Sequence, residues 1–210
     1  MKLEQIKKRY SVKKFDPQRR VEDEKIEIIK QAFYNSPSSI NIQAWKLFVV
    51  SDKKIKLQLA EAGKDTNHNR IKECSHLLIF TRKKVDFKHV KKVVESTEIF
   101  QILIKKRGLT SRKLTWAFWF IAKVLGGKNW LNYQIYLALG FIMATCAALD
   151  VGSLPMEGIK RSMMDKVLGI GSEHKTVVAL AIGYPHEDDK ENPSLIKKSR
   201  LPYEDMVQEI

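Results

Sequence analysis

Cysteine is nearly absent from this chain: only Cys74 and Cys146 occur, each among apolar neighbours and without metal-like spacing. Both are expected as reduced core residues of a cytosolic protein. The N-terminus, Met1 to Lys8, is charged throughout and lacks the apolar centre of a signal peptide. Long hydrophobic runs are also scarce. The longest, Ile135 to Leu149, is interrupted by Thr145 and falls short of the roughly 20 residues that cross a bilayer. A cytoplasmic protein with no membrane span is the expectation. No Ser/His/Asp arrangement and no metal-ligand constellation stands out, and His76, just before an apolar strand, reads as a structural histidine. Acidic residues are the scarce charge, with 24 Asp and Glu against 38 Lys and Arg for a net +14. That balance favours anionic partners such as a phosphorylated ligand, nucleic acid or an acidic membrane face, although solubility accounts for it equally well. At 210 residues and 44% hydrophobic content, the chain can bury a core of its own, as one domain or as a subunit of an intertwined oligomer.

What is present centres on Ser36-Pro37-Ser38-Ser39-Ile40-Asn41-Ile42-Gln43-Ala44-Trp45 and the apolar run Lys46-Leu47-Phe48-Val49-Val50. Clustered Ser, Asn and Gln around Pro make turns through side-chain bonds to the backbone, and the run after them reads as a buried strand. The loop offers many neutral hydrogen-bonding groups and no charge. Such a set suits a flat heterocycle in a largely apolar pocket.

Residues 3–9 read as a short basic helix that ends before Arg9-Tyr10-Ser11-Val12-Lys13-Lys14-Phe15-Asp16-Pro17. Arg9, Ser11 and Lys13 alternate, so an extended backbone puts two cations and a hydroxyl on one side. That is a phosphate cradle or a solvated basic edge. Helices are expected over 21–34 and 53–63, and a short one that sets Asn67 and Arg70 a turn apart. A strand is expected over 75–80, and another over 176–185 after a helix at 160–169. Between Lys83 and Lys106 the apolar spacing is helical among many lysines, and Trp116-Ala117-Phe118-Trp119-Phe120-Ile121 follows before Gly126-Gly127. The aromatic run reads as core or as the lid of a binding pocket; beside so many cations it also fits nucleic-acid or membrane binding. Asn129 to Leu149 is apolar almost all round, as befits a helix central to a core or a subunit interface, with Gly140 and Ala144 allowing close approach. A Gly- and Pro-punctuated loop is expected over 150–159. Near the end, Lys197-Lys198-Ser199-Arg200-Leu201-Pro202 again flanks a hydroxyl with cations. Two such clusters, one at each end of the chain, suit one phosphate held from two sides.

Four segments, in order, now carry a family resemblance: residues 9–16, residues 36–45, Leu154-Pro155-Met156-Glu157-Gly158, and Lys198-Ser199-Arg200-Leu201-Pro202. The chain resembles the FMN-dependent nitroreductase family, in particular its oxygen-insensitive NAD(P)H nitroreductase and dihydropteridine reductase-like branch. The matched segments lie within roughly 1–82 and 129–205. Residues 83–128 stand apart as a divergent helical and aromatic region of one FMN-binding domain spanning 1–210.

The resemblance implies an α+β sandwich, with a mostly antiparallel central sheet surrounded by helices, in an intertwined homodimer whose long apolar helix lies at the interface. It implies one FMN per site, with both chains building each site. By position, Arg9, Ser11 and Lys13, with Tyr10 among them, match N-terminal phosphate and flavin contacts, and Lys198 and Arg200 match the C-terminal grips. Pro37, Ser38 and Ser39, with the partner's Asn41 and with Gln43 in the same loop, match residues around the isoalloxazine ring. Asn67 and Arg70 match positions at the flavin's polar edge, where the family more often has Lys in place of Arg70. Pro155, Glu157 and Gly158, with Met156 between them, match the turn lying against the ring. The implied reaction is ping-pong hydride transfer from NAD(P)H through the flavin to a nitroaromatic, quinone or similar small acceptor, with no catalytic side chain required. The cation excess points toward NADPH. From another class, a basic cofactor-free protein gripping nucleic acid or a membrane through 83–113 and the Trp-rich segment fits the same charge, and a flavin-binding relative without turnover lies between the two.

Overall fold

A computed structural model describes residues 3–125 and 128–210, so the expected Gly126-Gly127 break lies outside the described residues. Helices α1 (Leu3–Lys8) and α2 (Asp23–Tyr34) precede β1 (Trp45–Val50), α3 (Lys53–Ala60), α4 (Asn67–Glu73) and β2 (His76–Lys83). Then come α5 (Phe87–Ser96), α6 (Glu98–Arg107), α7 (Ser111–Leu125), α8 (Lys128–Ala148), β3 (Gly152–Met156), α9 (Arg161–Val167), β4 (His174–Gly183) and α10 (Tyr203–Met206). The four strands form one antiparallel sheet in the order β1-β2-β4-β3.

Strand alternation decides which layer each face meets. Leu78, Phe80, Val178, Leu180 and Ile182 point to the face covered by α2 and α8, where Ile29, Ile135, Ile142 and Cys146 are buried. Leu77, Ile79, Ala179 and Ala181 point the other way, against Leu59 of α3, Ile71 of α4 and Met164 of α9. The central strands β2 and β4 are therefore covered on both faces, which is why they read as unbroken apolar runs. A third cluster joins Ile42 and Ala44 to Val90, Val94, Phe100 and Leu114 of α5, α6 and α7. Local signals begin and end several helices. Asp52 Oδ1 accepts from Ile55 N–H at 2.9 Å, Asp86 Oδ1 accepts from His89 N–H at 2.7 Å, and Gly108 closes α6 at φ +61°.

Three expectations change. The run after Trp45 is an edge strand in which only Val50 is buried, because the first position in the sheet has a neighbour on one side only. The segment expected as a loop over 150–159 contains β3; its Pro155 is tolerated because the strand is the opposite edge, where a missing N–H leaves no ladder bond unmade. The helix expected over 129–149 is α8, but the reading of its apolar run as too short for a bilayer, counted from Ile135, changes. Asn129–Ala148, 20 residues, is by length and composition long and apolar enough to cross a membrane. In the fold its Ile135, Ala138, Leu139, Ile142 and Cys146 are buried on the sheet, while Tyr133, Leu137 and Phe141 form an apolar outer stripe.

Candidate active site

Segment 9–13 runs extended along the outer edge of β3. Ser11 bridges Ser153, and Val12 N–H donates to Ser153 C=O at 3.3 Å. Val12 and Phe15 are fully buried and anchor the segment. A Cβ on Gly152 would stand 2.7 Å from both Val12 Cγ2 and Gly183 O, so this close approach requires glycine. Alternation then turns Arg9, Ser11 and Lys13 into one cavity of about 510 Å³. Its opposite wall is residues 196–200, which carry Lys197, Lys198, Ser199 and Arg200. The two cationic clusters, at opposite ends of the sequence, meet as their composition suggested.

Charge in this cavity is unbalanced. Arg9 Nη1 is buried with no hydrogen-bond partner, and burial together with the nearby Arg200 pulls its pKa down. Burial, Arg9 and Arg200 do the same to Lys198, whose Nζ donates to Lys7 C=O at 2.8 Å at the end of α1. Lys13 lies 3.7 Å from Glu191 at the exposed rim. A buried guanidinium without an acceptor is costly, and a phosphate oxygen is the partner its fork geometry fits. The residues present therefore fit a phosphorylated ligand.

One carboxylate anchors segment 10–13 to the chain that leads into residues 196–200. Asp189, 1% exposed, accepts from Tyr10 O–H at 3.0 Å and Lys13 N–H at 3.1 Å through Oδ2, and from Glu191 N–H at 3.3 Å through Oδ1. Burial and Asp189 raise the Tyr10 pKa, so the phenol keeps its proton and donates. Asp189 was missed in the sequence. Its only signal there is an acidic turn, His186-Glu187-Asp188-Asp189, in a basic chain.

A second polar string leads from this cradle toward α8. Arg70 Nε donates to Lys13 C=O at 3.4 Å and Arg70 Nη1 to Asn67 Oδ1 at 2.9 Å, while Asn67 Nδ2 donates to Gly158 C=O at 3.0 Å. A Cβ on Gly158 would sit 2.9 Å from Asn67 Nδ2, so a larger residue there would push the Asn67 amide off Gly158 C=O. Glu157 accepts a short hydrogen bond from Tyr136 O–H, and burial plus that carboxylate push the Tyr136 pKa up to about 12. Pro155 and Glu157 line an apolar groove with Tyr136, Gly140 and Met143. Met156 departs from expectation: its side chain is 2% exposed in the sheet core, so only its backbone belongs to this turn.

The loop 37–43 lies elsewhere. Ser39 N–H donates to Gln134 Oε1 of α8 at 3.0 Å, Ser38 Oγ accepts from Gln43 N–H at 3.1 Å, and His89 Nε2 lies 2.7 Å from Ile42 C=O. Ile40, Asn41 and Gln43 have φ of +49°, +52° and +47°. Asparagine enters this region readily, whereas a β-branched isoleucine is strained there. Among the described residues, none of Pro37, Ser38, Ser39, Asn41 and Gln43 lines the Arg9 cavity. Gln5 of α1, just before the cradle, donates to Ala148 C=O at 3.0 Å. Gln134 and Ala148 are 14 positions apart in one helix, about 21 Å at 1.5 Å per residue. His76 is structural: it is 3% exposed beside Ser75 Oγ, and burial, then Arg20 and Lys56, lower its pKa to about 4.

Comparison with known proteins gives this arrangement a family. Residues 6–184 match the profile described as the nitroreductase family. The major NAD(P)H-flavin oxidoreductase of Aliivibrio fischeri is 31% identical over 211 aligned positions, which cover 98% of this chain and 96% of that protein. The oxygen-insensitive NAD(P)H nitroreductase of Salmonella typhimurium is 28% identical, covering 96% of each. Similarity thus runs through 83–128, which the motifs alone leave uncovered. In fold, a Bacillus subtilis crystal structure covers 99% of this chain at a TM-score of 0.82 with 18% identity. An Exiguobacterium sibiricum protein crystallised in complex with FMN covers 99% at a TM-score of 0.75 with 18% identity. The chain belongs to the nitroreductase family.

Proposed function

We propose that this chain is an FMN-dependent NAD(P)H oxidoreductase, acting in the cytoplasm as a homodimer of one-domain subunits on a small nitroaromatic, quinone or similar acceptor. One observation carries the cofactor assignment: Arg9, whose Nη1 is buried and without a partner, lines a cavity that also holds Ser11, Lys198 and Arg200. These residues and Lys13 would bind the FMN phosphate. Asn67 and Arg70 would meet the polar edge of the ring, and the backbone of Pro155, Glu157 and Gly158 would lie along it. When bound, the flavin supplies the redox chemistry, taking a hydride from NAD(P)H and passing it to the acceptor in ping-pong order.

The chain's own residues bind and orient. Arg70, fixed by Lys13 C=O and Asn67 Oδ1, holds a positive charge where electron density on the ring would increase, a preorganised stabilisation that costs no rearrangement. Asp189 positions the cradle from behind, through Lys13 N–H and through Tyr10, which itself lines the cavity. Loop 37–43 would serve the other copy's site, with the partner's Asn41 reaching the ring, since the loop is remote from its own cradle. The apolar outer stripe of α8, Tyr133, Leu137 and Phe141, would bury itself between the copies. The excess of cations favours NADPH, whose additional phosphate needs a basic contact.

An absorbance spectrum of the purified protein tests this directly. A flavin spectrum near one FMN per chain that bleaches on anaerobic addition of NADPH is expected. A colourless protein that takes up no added FMN would overturn the assignment.

A further inference from the structure

Among the described residues, two hydrogen bonds tie residues 37–43 to other elements: Ser39 N–H to Gln134 Oε1 of α8 at 3.0 Å, and His89 Nε2 of α5 to Ile42 C=O at 2.7 Å. His89 lies in the region that the family motifs leave uncovered. A carbonyl oxygen has no proton to give, so the ring donates its Nε2–H. Burial lowers the His89 pKa against the opposing effect of this bond, so the ring is neutral at pH 7 and its acceptor sets the tautomer. Helix α5 aims the ring. Asp86 caps the first turn by accepting from His89 N–H at 2.7 Å, and the next residue, Val90, is fully buried in the cluster that holds Ile42 and Ala44.

The bond controls one peptide. Its carbonyl, that of Ile42, accepts from His89, and its N–H, that of Gln43, donates to Ser38 Oγ at 3.1 Å. Gln43 sits at φ +47°, a region that side chains other than Asn and Asp disfavour. Turning this peptide over would take Gln43 out of the left-handed region with little change in chain direction, because ψ of Ile42 and φ of Gln43 rotate in opposite senses. The turn would also release Ser38 Oγ and disturb Asn41, whose C=O accepts from Gln43 Nε2 at 3.2 Å. Local strain therefore favours release, and His89 opposes it from a separate element, while Gln134 grips only the first half of the loop. We propose that His89 is a positioning residue: by holding Ile42 C=O it keeps Ser38 and Asn41 in the arrangement presented to the FMN site of a second copy. This role rests on an FMN site shared between two copies, and His89 acts through the loop, not on the ligand.

FMN titration of the apo His89→Leu and His89→Gln chains, beside the wild-type chain, is the test. His89→Leu should bind FMN about tenfold more weakly, as for one lost hydrogen bond. His89→Gln, whose amide N–H takes the place of Nε2–H, should stay within about threefold of wild type. Apo His89→Leu should keep the wild-type rise in Tm with inorganic phosphate, because its own cradle is untouched. Mixed dimers locate the effect. Arg9→Ala on one chain and His89→Leu on the other should leave one site of wild-type affinity, whereas both substitutions on one chain opposite a wild-type chain should leave none. Three outcomes overturn the positioning role while the FMN assignment stands: unchanged FMN affinity in His89→Leu, a loss that His89→Gln does not recover, or the reverse pattern in the mixed dimers. A wild-type chain that takes up no FMN overturns both.

Discussion

The cradle around Arg9 and the loop 37–43 differ in how they are built. In the cradle, two charged segments from opposite ends of the sequence converge, Asp189 anchors the first and Lys198 reaches the end of α1 from the second, and Arg9 Nη1 is left unsatisfied. In the loop, polar side chains are spent on their own backbone and on α8: Ser38 receives Gln43 N–H and Gln134 receives Ser39 N–H. The first region has an open valence and invites a ligand. The second is locally satisfied and is fixed in shape, held by its left-handed residues so as to present Asn41 and Pro37 outward. Under the proposed function the first would be a binding half-site and the second a presented one, about 21 Å apart along one helix, as a site shared between two copies requires.

Removing the open valence should have the largest effect. Arg9→Ala is expected to weaken FMN about 10- to 100-fold, from loss of a charge-assisted hydrogen bond of about 1.5–3 kcal/mol; a fluorescence titration reads it, and unchanged affinity would place the phosphate elsewhere. The sharpest test of the division of labour mixes two defective chains. Arg9→Ala and Asn41→Ala homodimers should each bind FMN poorly, whereas their hybrid should regain one intact site; no recovery on mixing would mean that each chain builds its own site. Inorganic phosphate alone should distinguish the regions more gently. At about tenfold above its Kd it adds about 1.4 kcal/mol to the stability of a chain of this size. Scaled to that free energy the shift in Tm is roughly 3–6 °C, and it should vanish in apo Arg9→Ala and persist in apo Asn41→Ala. The smallest effect lies in the loop backbone. Gln43, exposed at φ +47°, can be replaced by Gly with an expected gain of about 0.5–1 kcal/mol, the left-handed penalty less the entropy of glycine. A loss in the denaturant midpoint would show that its side-chain bond to Asn41 C=O outweighs the strain.

Legibility followed the range of the interaction. The alternation of Arg9, Ser11 and Lys13 was readable because an extended backbone has period two, and Asn67 and Arg70 because a helical turn spaces them. The meeting of the two cationic clusters was readable from composition and resemblance, but its fastener was not, since the contacts of Asp189 to Tyr10 and Lys13 are non-local. Met156 was misplaced because strand alternation sends it into the core between two residues that face out. β3 was hidden by Gly152 and Pro155, which read as turn residues unless the strand is known to be an edge. The aromatic run 116–121 reads as core or lid; Phe118 and Trp119 pack half-buried against the third cluster, and Trp116 and Phe120 face away from it because the helical period divides the run.

The cradle joins Arg9 to Arg200, residues separated by nearly the whole chain. During synthesis the sheet can assemble once β4 has emerged, yet Asp189 and the cationic wall behind it follow still later. A nascent or truncated polypeptide can thus acquire its architecture and be unable to retain a phosphorylated ligand. Under the proposed function, cofactor occupancy in a cell would report the integrity of the segment around residues 189–200 as much as the supply of flavin.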